Sequence, residues 1–178
     1  MCKKFYLKKM ETPAEIEEFW IKKKDYEKQD IFPNLEEKND ELKEIVEWFE
    51  SKEYYNVIMG LHYDIPKNGS GLQFAFFLNK DMKYIGFIMY KIYTQEDGKC
   101  FVLDFCIKNE YRNQGLGTQV IDFFEKYVYE NEEAIYIALN ASNDSNARFW
   151  KRVGFSSEEV DEYGEVIFKK NIVSYLIS

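Results

Sequence analysis

Phe101-Val102-Leu103-Asp104-Phe105-Cys106-Ile107, then Lys108-Asn109-Glu110-Tyr111, then Arg112-Asn113-Gln114-Gly115-Leu116-Gly117-Thr118, reads as a strand, a short loop and the start of a helix. The first seven residues are β-branched and aromatic, the composition of a strand buried on both faces. From Leu116 the period changes: Leu116, Val120, Phe123, Phe124 and Tyr127 recur at helical spacing and fall on one face. Gly115 and Gly117 therefore sit where strand gives way to helix. A helix start exposes backbone N–H groups and the positive end of the macrodipole, and glycine admits a ligand to the backbone. The junction predicts an anion site, and a phosphate is the expected anion.

Two common phosphate loops fit poorly. A P-loop closes on Gly-Lys-Ser/Thr, whereas Gly117 is followed by Thr118 and Gln119. A dinucleotide fingerprint needs a third small residue three positions after its second glycine, and Val120 stands there. Arg112-Asn113-Gln114-Gly115-Leu116-Gly117 instead resembles the acyl-CoA site of the GCN5-related N-acetyltransferases, whose signature, Arg/Gln-x-x-Gly-x-Gly/Ala, directly follows the central strand. Downstream, Asn143-Asp144-Ser145-Asn146-Ala147-Arg148-Phe149-Trp150-Lys151-Arg152-Val153-Gly154-Phe155 resembles a second motif of that family.

The resemblance implies an α/β (α+β) acyl-CoA N-acyltransferase fold: a mixed, mostly antiparallel central sheet of six to seven strands, splayed at its centre, with helices on both faces. It implies acetyl-CoA as cosubstrate and direct transfer of the acetyl group, in a ternary complex, to a primary amine of a small molecule. A protein or peptide N-acetyltransferase and a non-catalytic CoA-binding module are the alternatives. By the same resemblance the pyrophosphate would sit on the amides from Gln114 to Thr118, within the cofactor-binding run Arg112, Asn113, Gln114, Gly115, Leu116, Gly117 and Thr118, with the Arg112 side chain as charge partner. Phe105, Cys106 and Ile107 would pair with the pantetheine arm as an added strand does, and an amide near Cys106 would meet the carbonyl oxygen. Asn140 and Asn143 stand where the family contacts that arm, although turn and cap chemistry explains both equally well.

Trp150 occupies the position at which many relatives carry a tyrosine acid. An indole cannot protonate a thiolate, so Trp150 is expected as a wall of the thioester pocket or as core. Asp104 is the candidate base, with a bond to a neighbouring hydroxyl or loop amide as the plainer reading. His62, the one histidine, suits a base by type but reads as a surface residue of a loop, and the segment from Tyr54 to Leu72 is expected to line the acceptor side. Cys106 reads as a small buried hydrophobe and not as a nucleophile.

Composition narrows the class. A chain of 178 residues that is 46% hydrophobic and 18% aromatic has enough apolar surface for one globular domain over residues 1–178. Cys2, Cys100 and Cys106 are odd in number and lack a C-x-x-C pair, which suggests neither a disulfide framework nor a zinc site; no metal is expected, and reduced thiols fit a cytoplasmic protein. No stretch approaches the roughly 20 apolar residues that span a bilayer. A net charge of −8 argues against a nucleic-acid partner and for solubility, and it suits a cationic acceptor such as a polyamine or aminoglycoside. A monomer or homodimer is expected.

Along the chain, Lys3–Met10 reads as an edge strand. Thr12-Pro13-Ala14-Glu15 carries a capping box with proline at the first helical position. A second helix is expected from about Asp40, with Leu42, Ile45, Val46 and Phe49 on one face. Phe74–Leu78, Tyr84–Tyr93 and Cys100–Ile107 come next in hairpin order, joined at Asn79–Lys83 and at Glu96-Asp97-Gly98. Ala134–Leu139 should lie parallel to Phe101–Ile107 across a right-handed helical crossover. A short helix from Ser145 to Arg152 and a final hairpin, Ser157–Val160 with Glu165–Lys169, complete the chain.

Overall fold

A computed structural model of the chain describes residues 3–34, 40–66, 69–94, 96–141 and 143–172. Cys2 and residues 67–68 of the expected acceptor-side loop lie outside them. After strand β1 (Phe5–Lys9), the Thr12 hydroxyl accepts from the Glu15 amide at 3.3 Å and the Glu15 carboxylate accepts from the Thr12 amide at 3.0 Å, which starts helix α1 (Pro13–Tyr26). The helix does not stop at Tyr26. It widens into a π-helical turn over Glu27–Ile31 and tightens into a 3₁₀ turn over Phe32–Asn34.

Helix α2 (Asp40–Glu50) begins at the expected residue, but its expected apolar face is only partly covered: Val46 and Phe49 are half-buried and Ile45 is exposed. His62, expected in a loop, lies in helix α3 (Lys52–Tyr63), whose N-cap Ser51 accepts from the Tyr54 amide. Its periodicity is hard to see because the buried residues, Ile58 and Met59, are adjacent, while Tyr55 and Val57 stay exposed.

Strands β2 (Gln73–Asn79), β3 (Tyr84–Tyr93) and β4 (Lys99–Ile107) come next, then helix α4 (Leu116–Glu132), β5 (Tyr136–Asn140), α5 (Asp144–Arg152), β6 (Ser156–Val160) and β7 (Val166–Asn171). They make one seven-stranded sheet in the order β1-β2-β3-β4-β5-β7-β6, antiparallel throughout except between β4 and β5. Alternation along β2 feeds two cores. Phe74 and Phe76 pack with Phe19 and Trp20 of α1 and Ile58 of α3, whereas Ala75 and Phe77 face Val120 and Phe124 of α4. Helices thus cover both faces.

Two irregularities in β4 break the regular sheet at its centre. Its parallel pairing to β5 runs only from Lys99–Tyr136 to Val102–Leu139, so the edge from Leu103 to Ile107 has no strand beside it. On the other edge the register with β3 slips: Asp104 faces Met89 and Val102 faces Tyr90, leaving Leu103 as the extra residue of a bulge.

Candidate active site

The divergence of β4 from β5 opens a cleft of about 890 Å³, with the start of α4 on one wall and α5 on another. Asn113 (φ 59°) and Gly115 (φ 73°) are both left-handed, and the chain enters α4 through Gly115 with no side chain capping its amides. Nothing lies within 4 Å of a Cβ at Gly115, so conformation alone calls for glycine there. Gly117 is the opposite case: a Cβ would stand 3.2 Å from the Phe149 ring, so this glycine lets α5 approach α4. Among the described residues, no backbone acceptor from outside the helix meets the amides of Gln114 to Thr118. Asn113, Gly115, Gly117 and Thr118 line the cleft; the Gln114 side chain turns back to the Glu110 carbonyl, and Leu116 packs on the core.

Arg112 lines the cleft with its guanidinium already engaged. Nε donates to the Ile107 carbonyl at 2.6 Å, and the two terminal nitrogens grip Asp30 of the π-helical turn at 2.6 and 2.8 Å. The expected charge partner of a phosphate is therefore a clasp between the first helical segment and the loop. A different cation lines the cleft without a carboxylate partner among the described residues: Arg152, at the end of α5. Ser145, Phe149 and Arg152 recur at helical spacing, so a helical projection of the second motif carries the signal for it.

The open edge of β4 also differs in detail from expectation. Lys108 donates its amide to the Ile85 carbonyl, which makes alternate pairs of the β3–β4 ladder, Cys106–Phe87 among them, the hydrogen-bonded ones. The Cys106 amide is thus turned into the sheet and cannot meet a ligand in the cleft. The amides facing the open edge are those of Phe105 and Ile107, and the Phe105 amide donates to Asp104 Oδ1 at 3.0 Å. The Cys106 side chain is buried, and burial pushes its thiol up to about 12 against the pull of Arg112.

Asp104 borders the cleft, and its second oxygen, Oδ2, receives Lys23 Nζ at 2.9 Å. Lys23 is 2% exposed and also lies 2.8 Å from Glu27 Oε1, with the Tyr54 ring 5.5 Å away. Burial opposes a charge on Lys23, but Asp104, Tyr54 and Glu27 outweigh it and hold the ammonium protonated. Burial pushes the Glu27 carboxyl up, with Lys23 pulling the other way.

Trp150 is buried between Phe105, Phe149 and Phe155 and forms part of the cleft wall. Asn143 caps α5 by accepting from the Asn146 amide, and Asn140 donates to the Val166 carbonyl, so both asparagines do structural work at the cleft's rim. His62 lies elsewhere. Its Nδ1 donates to the Leu72 carbonyl at 2.7 Å and its ring stacks on Phe74, and none of the described residues of the 54–72 segment lines the cleft. The side facing away from α4 is lined instead by Tyr26, Asp30 and Ile31, residues of the α-to-π transition. Burial raises the Tyr26 phenol, with Asp104, Cys106 and Asp30 adding to it.

A glycine-gated helix start beside a strand that loses its parallel partner is the arrangement the two motifs implied. The family model described as the acetyltransferase (GNAT) family matches residues 32–155. The chain belongs to this family. Among solved structures it is similar to the PaiA N-acetyltransferase of Thermoplasma acidophilum in complex with coenzyme A, at 17% identity over 95% of this chain and 99% of that one, with a TM-score of 0.60. It is similar to Tetrahymena GCN5, at 16% identity over 94% and 96% with a TM-score of 0.60. It is also similar to the spermidine N-acetyltransferase of Vibrio cholerae in complex with CoA and spermine, at 15% identity over 97% and 98% with a TM-score of 0.60. Such identities speak for the GNAT fold alone. No curated protein sequence matches the chain. Among the described residues, no helix of this GNAT protein is long and apolar enough to cross a membrane.

Proposed function

We propose that the chain is an acetyl-CoA-dependent N-acetyltransferase acting on a primary amine of a small molecule in the cytoplasm, as a monomer or homodimer, with residues 1–178 forming one catalytic domain. One observation carries this reading: uncapped first-turn amides of α4 open onto the same cleft as the unpaired edge of β4. Amides at a helix start suit a diphosphate, and an open strand edge suits an extended amide-bearing arm. The residues present fit that group. Asn113 to Thr118 would hold the diphosphate, with Arg152 as the cation, and the Ile107 amide would face the arm.

Bound acetyl-CoA supplies an activated acyl group; the remaining tasks belong to the protein. Trp150 and Phe149 exclude water from one wall. Asp104 takes a proton from the amine, and Tyr26 gives the acceptor side an aromatic lining that favours a cation. The raised Tyr26 phenol is too weak an acid to protonate a thiolate readily, so it serves as a hydrogen-bond donor. The spermine named with the Vibrio cholerae protein supports a small polyamine as the first acceptor to try.

A second reading, a CoA-binding module without turnover, is favoured by Trp150 in place of an acid and by the engagement of both Asp104 oxygens. Thiol release from acetyl-CoA, followed with purified protein and a panel of polyamines, aminoglycosides and peptides, separates the two. Amine-dependent release supports the enzyme. CoA binding with release no faster than the spontaneous rate across the panel supports the module.

A further inference from the structure

Behind the cleft, Lys23 is held between two carboxylates, Asp104 Oδ2 at 2.9 Å and Glu27 Oε1 at 2.8 Å, and only Asp104 of the three lines the cleft. Lys23 and Glu27 are 2% and 3% exposed, so neither charge is screened by water. A lysine pairing with Asp104 alone would leave it a poor proton acceptor, because protonating the aspartate would strand a buried ammonium. Glu27 changes that balance.

We propose that Lys23 and Glu27 are positioning residues for Asp104: the ammonium fixes the aspartate's orientation, and Glu27 offsets part of the loss of basicity that the ammonium would otherwise impose on it. The cluster then carries one excess negative charge, and a single proton entering from the cleft leaves a neutral Lys23–Glu27 pair with a neutral Asp104. This rests on the reading of Asp104 as the base. Asp104 accepts one proton of the acceptor's ammonium; the freed nitrogen lone pair forms the C–N bond as the C–S bond of the acyl donor breaks. The second nitrogen proton ends on the departing sulfur, and Asp104 returns its own to water in the open cleft.

The groups facing the cluster are Tyr26, Asp30 and Lys24 from the first helical segment, Tyr54 from α3, and Cys106 from β4, with Arg112 beyond it. Lys23 is the one ammonium in direct contact with Asp104 among the described residues, and Arg112 is neutralised by Asp30. The Glu27 charge therefore has no substitute.

The test is the titration of the Asp104 carboxyl carbon by NMR in the full chain, assigned by its loss in Asp104→Asn. Glu27 and Asp104 oxygens are at most about 6 Å apart, so removing the Glu27 charge lowers the Asp104 midpoint by about two pH units at an effective dielectric of about 20. Glu27→Gln should show that fall, and Lys23→Met/Glu27→Gln, which also removes the ammonium 2.9 Å from Asp104, should reverse it and carry the midpoint above wild type. A fall that the double variant does not reverse means packing and not charge, and overturns the proposal, as does an unmoved midpoint in Glu27→Gln. If Glu27→Gln does not fold, the double variant decides alone: a midpoint at or below wild type overturns the charge balance. Full turnover by Asp104→Asn would instead sink the reading of Asp104 as base, while the titrations still judge the charge balance.

Discussion

Alanine placed at each of the two glycines of the helix start should separate binding from folding. At Gly117 a Cβ meets Phe149 Cε2 at 3.2 Å and Cζ at 3.4 Å, a few tenths of an ångström too close, and Phe149 is a half-buried ring on the cleft wall that can yield. The helix gains about 0.5–1 kcal/mol from replacing glycine by alanine, and the crowding returns a comparable cost of about 1 kcal/mol. The net stability change is small, within about 2–4 °C in Tm for a chain of this size. Binding responds differently. The added methyl and the displaced ring stand where a diphosphate would contact the first amides, and one lost charge-assisted hydrogen bond, about 1.5–3 kcal/mol, raises the Kd for CoA by about 10- to 150-fold. Gly115→Ala has open space but a φ of 73°, so it costs about 1–2 kcal/mol of backbone strain. Calorimetry of the free protein and titration with CoA read the two effects. CoA binding by Gly117→Ala within threefold of wild type would refute the placement of the diphosphate. So would a Tm loss at Gly117 larger than that at Gly115.

The two arginines should divide in the same way. Arg112→Gln breaks the clasp to Asp30, a pair about one-third and one-quarter exposed whose worth is discounted to about 1 kcal/mol, and lowers Tm by about 2–4 °C. Arg152→Gln leaves Tm unchanged, weakens CoA binding about three- to tenfold and flattens its salt dependence; the reverse assignment in a paired thermal and binding assay would contradict the geometry. For Cys106, a thiol pushed up to about 12 leaves a thiolate fraction of about 10⁻⁴ at pH 8. The sign is toward inertness: iodoacetamide should leave Cys106 unmodified through mildly alkaline pH and begin to label it only as pH climbs toward 12. Peptide mass mapping that finds Cys106 alkylated within minutes at pH 8 would count against its burial.

Features set by nearby residues were legible in the sequence. The Thr12–Glu15 cap, the β2–β3–β4 hairpins, the Gly115–Gly117 helix start and the crossover to β5 each arise from side chains a few positions apart, and each stands where the spacing puts it. The losses involve distance or parity. Asp30 meets Arg112 across 82 positions and Lys23 meets Asp104 across 81, and no periodicity encodes either pair. Which β4 amides face the cleft depends on the bulge at Leu103, because one extra residue exchanges the two edges, and that is how Cys106 came to be expected in the place of its neighbours. The expectation that residues 54–72 line the acceptor side came from the family resemblance, whereas the approach of Tyr26, Asp30 and Ile31 to the cleft was not legible, because the π-helical turn that follows Tyr26 has no sequence signature.

The unpaired run of β4 has an implication for how such a protein tolerates change. Apart from Asp104 its polar surface is main chain, which every residue type but proline supplies in the same form, so drift in the side chains at positions 103, 105, 106 and 107 can reshape the floor of the slot without erasing its donors. A proline at 105 or 107 is the substitution that removes one outright.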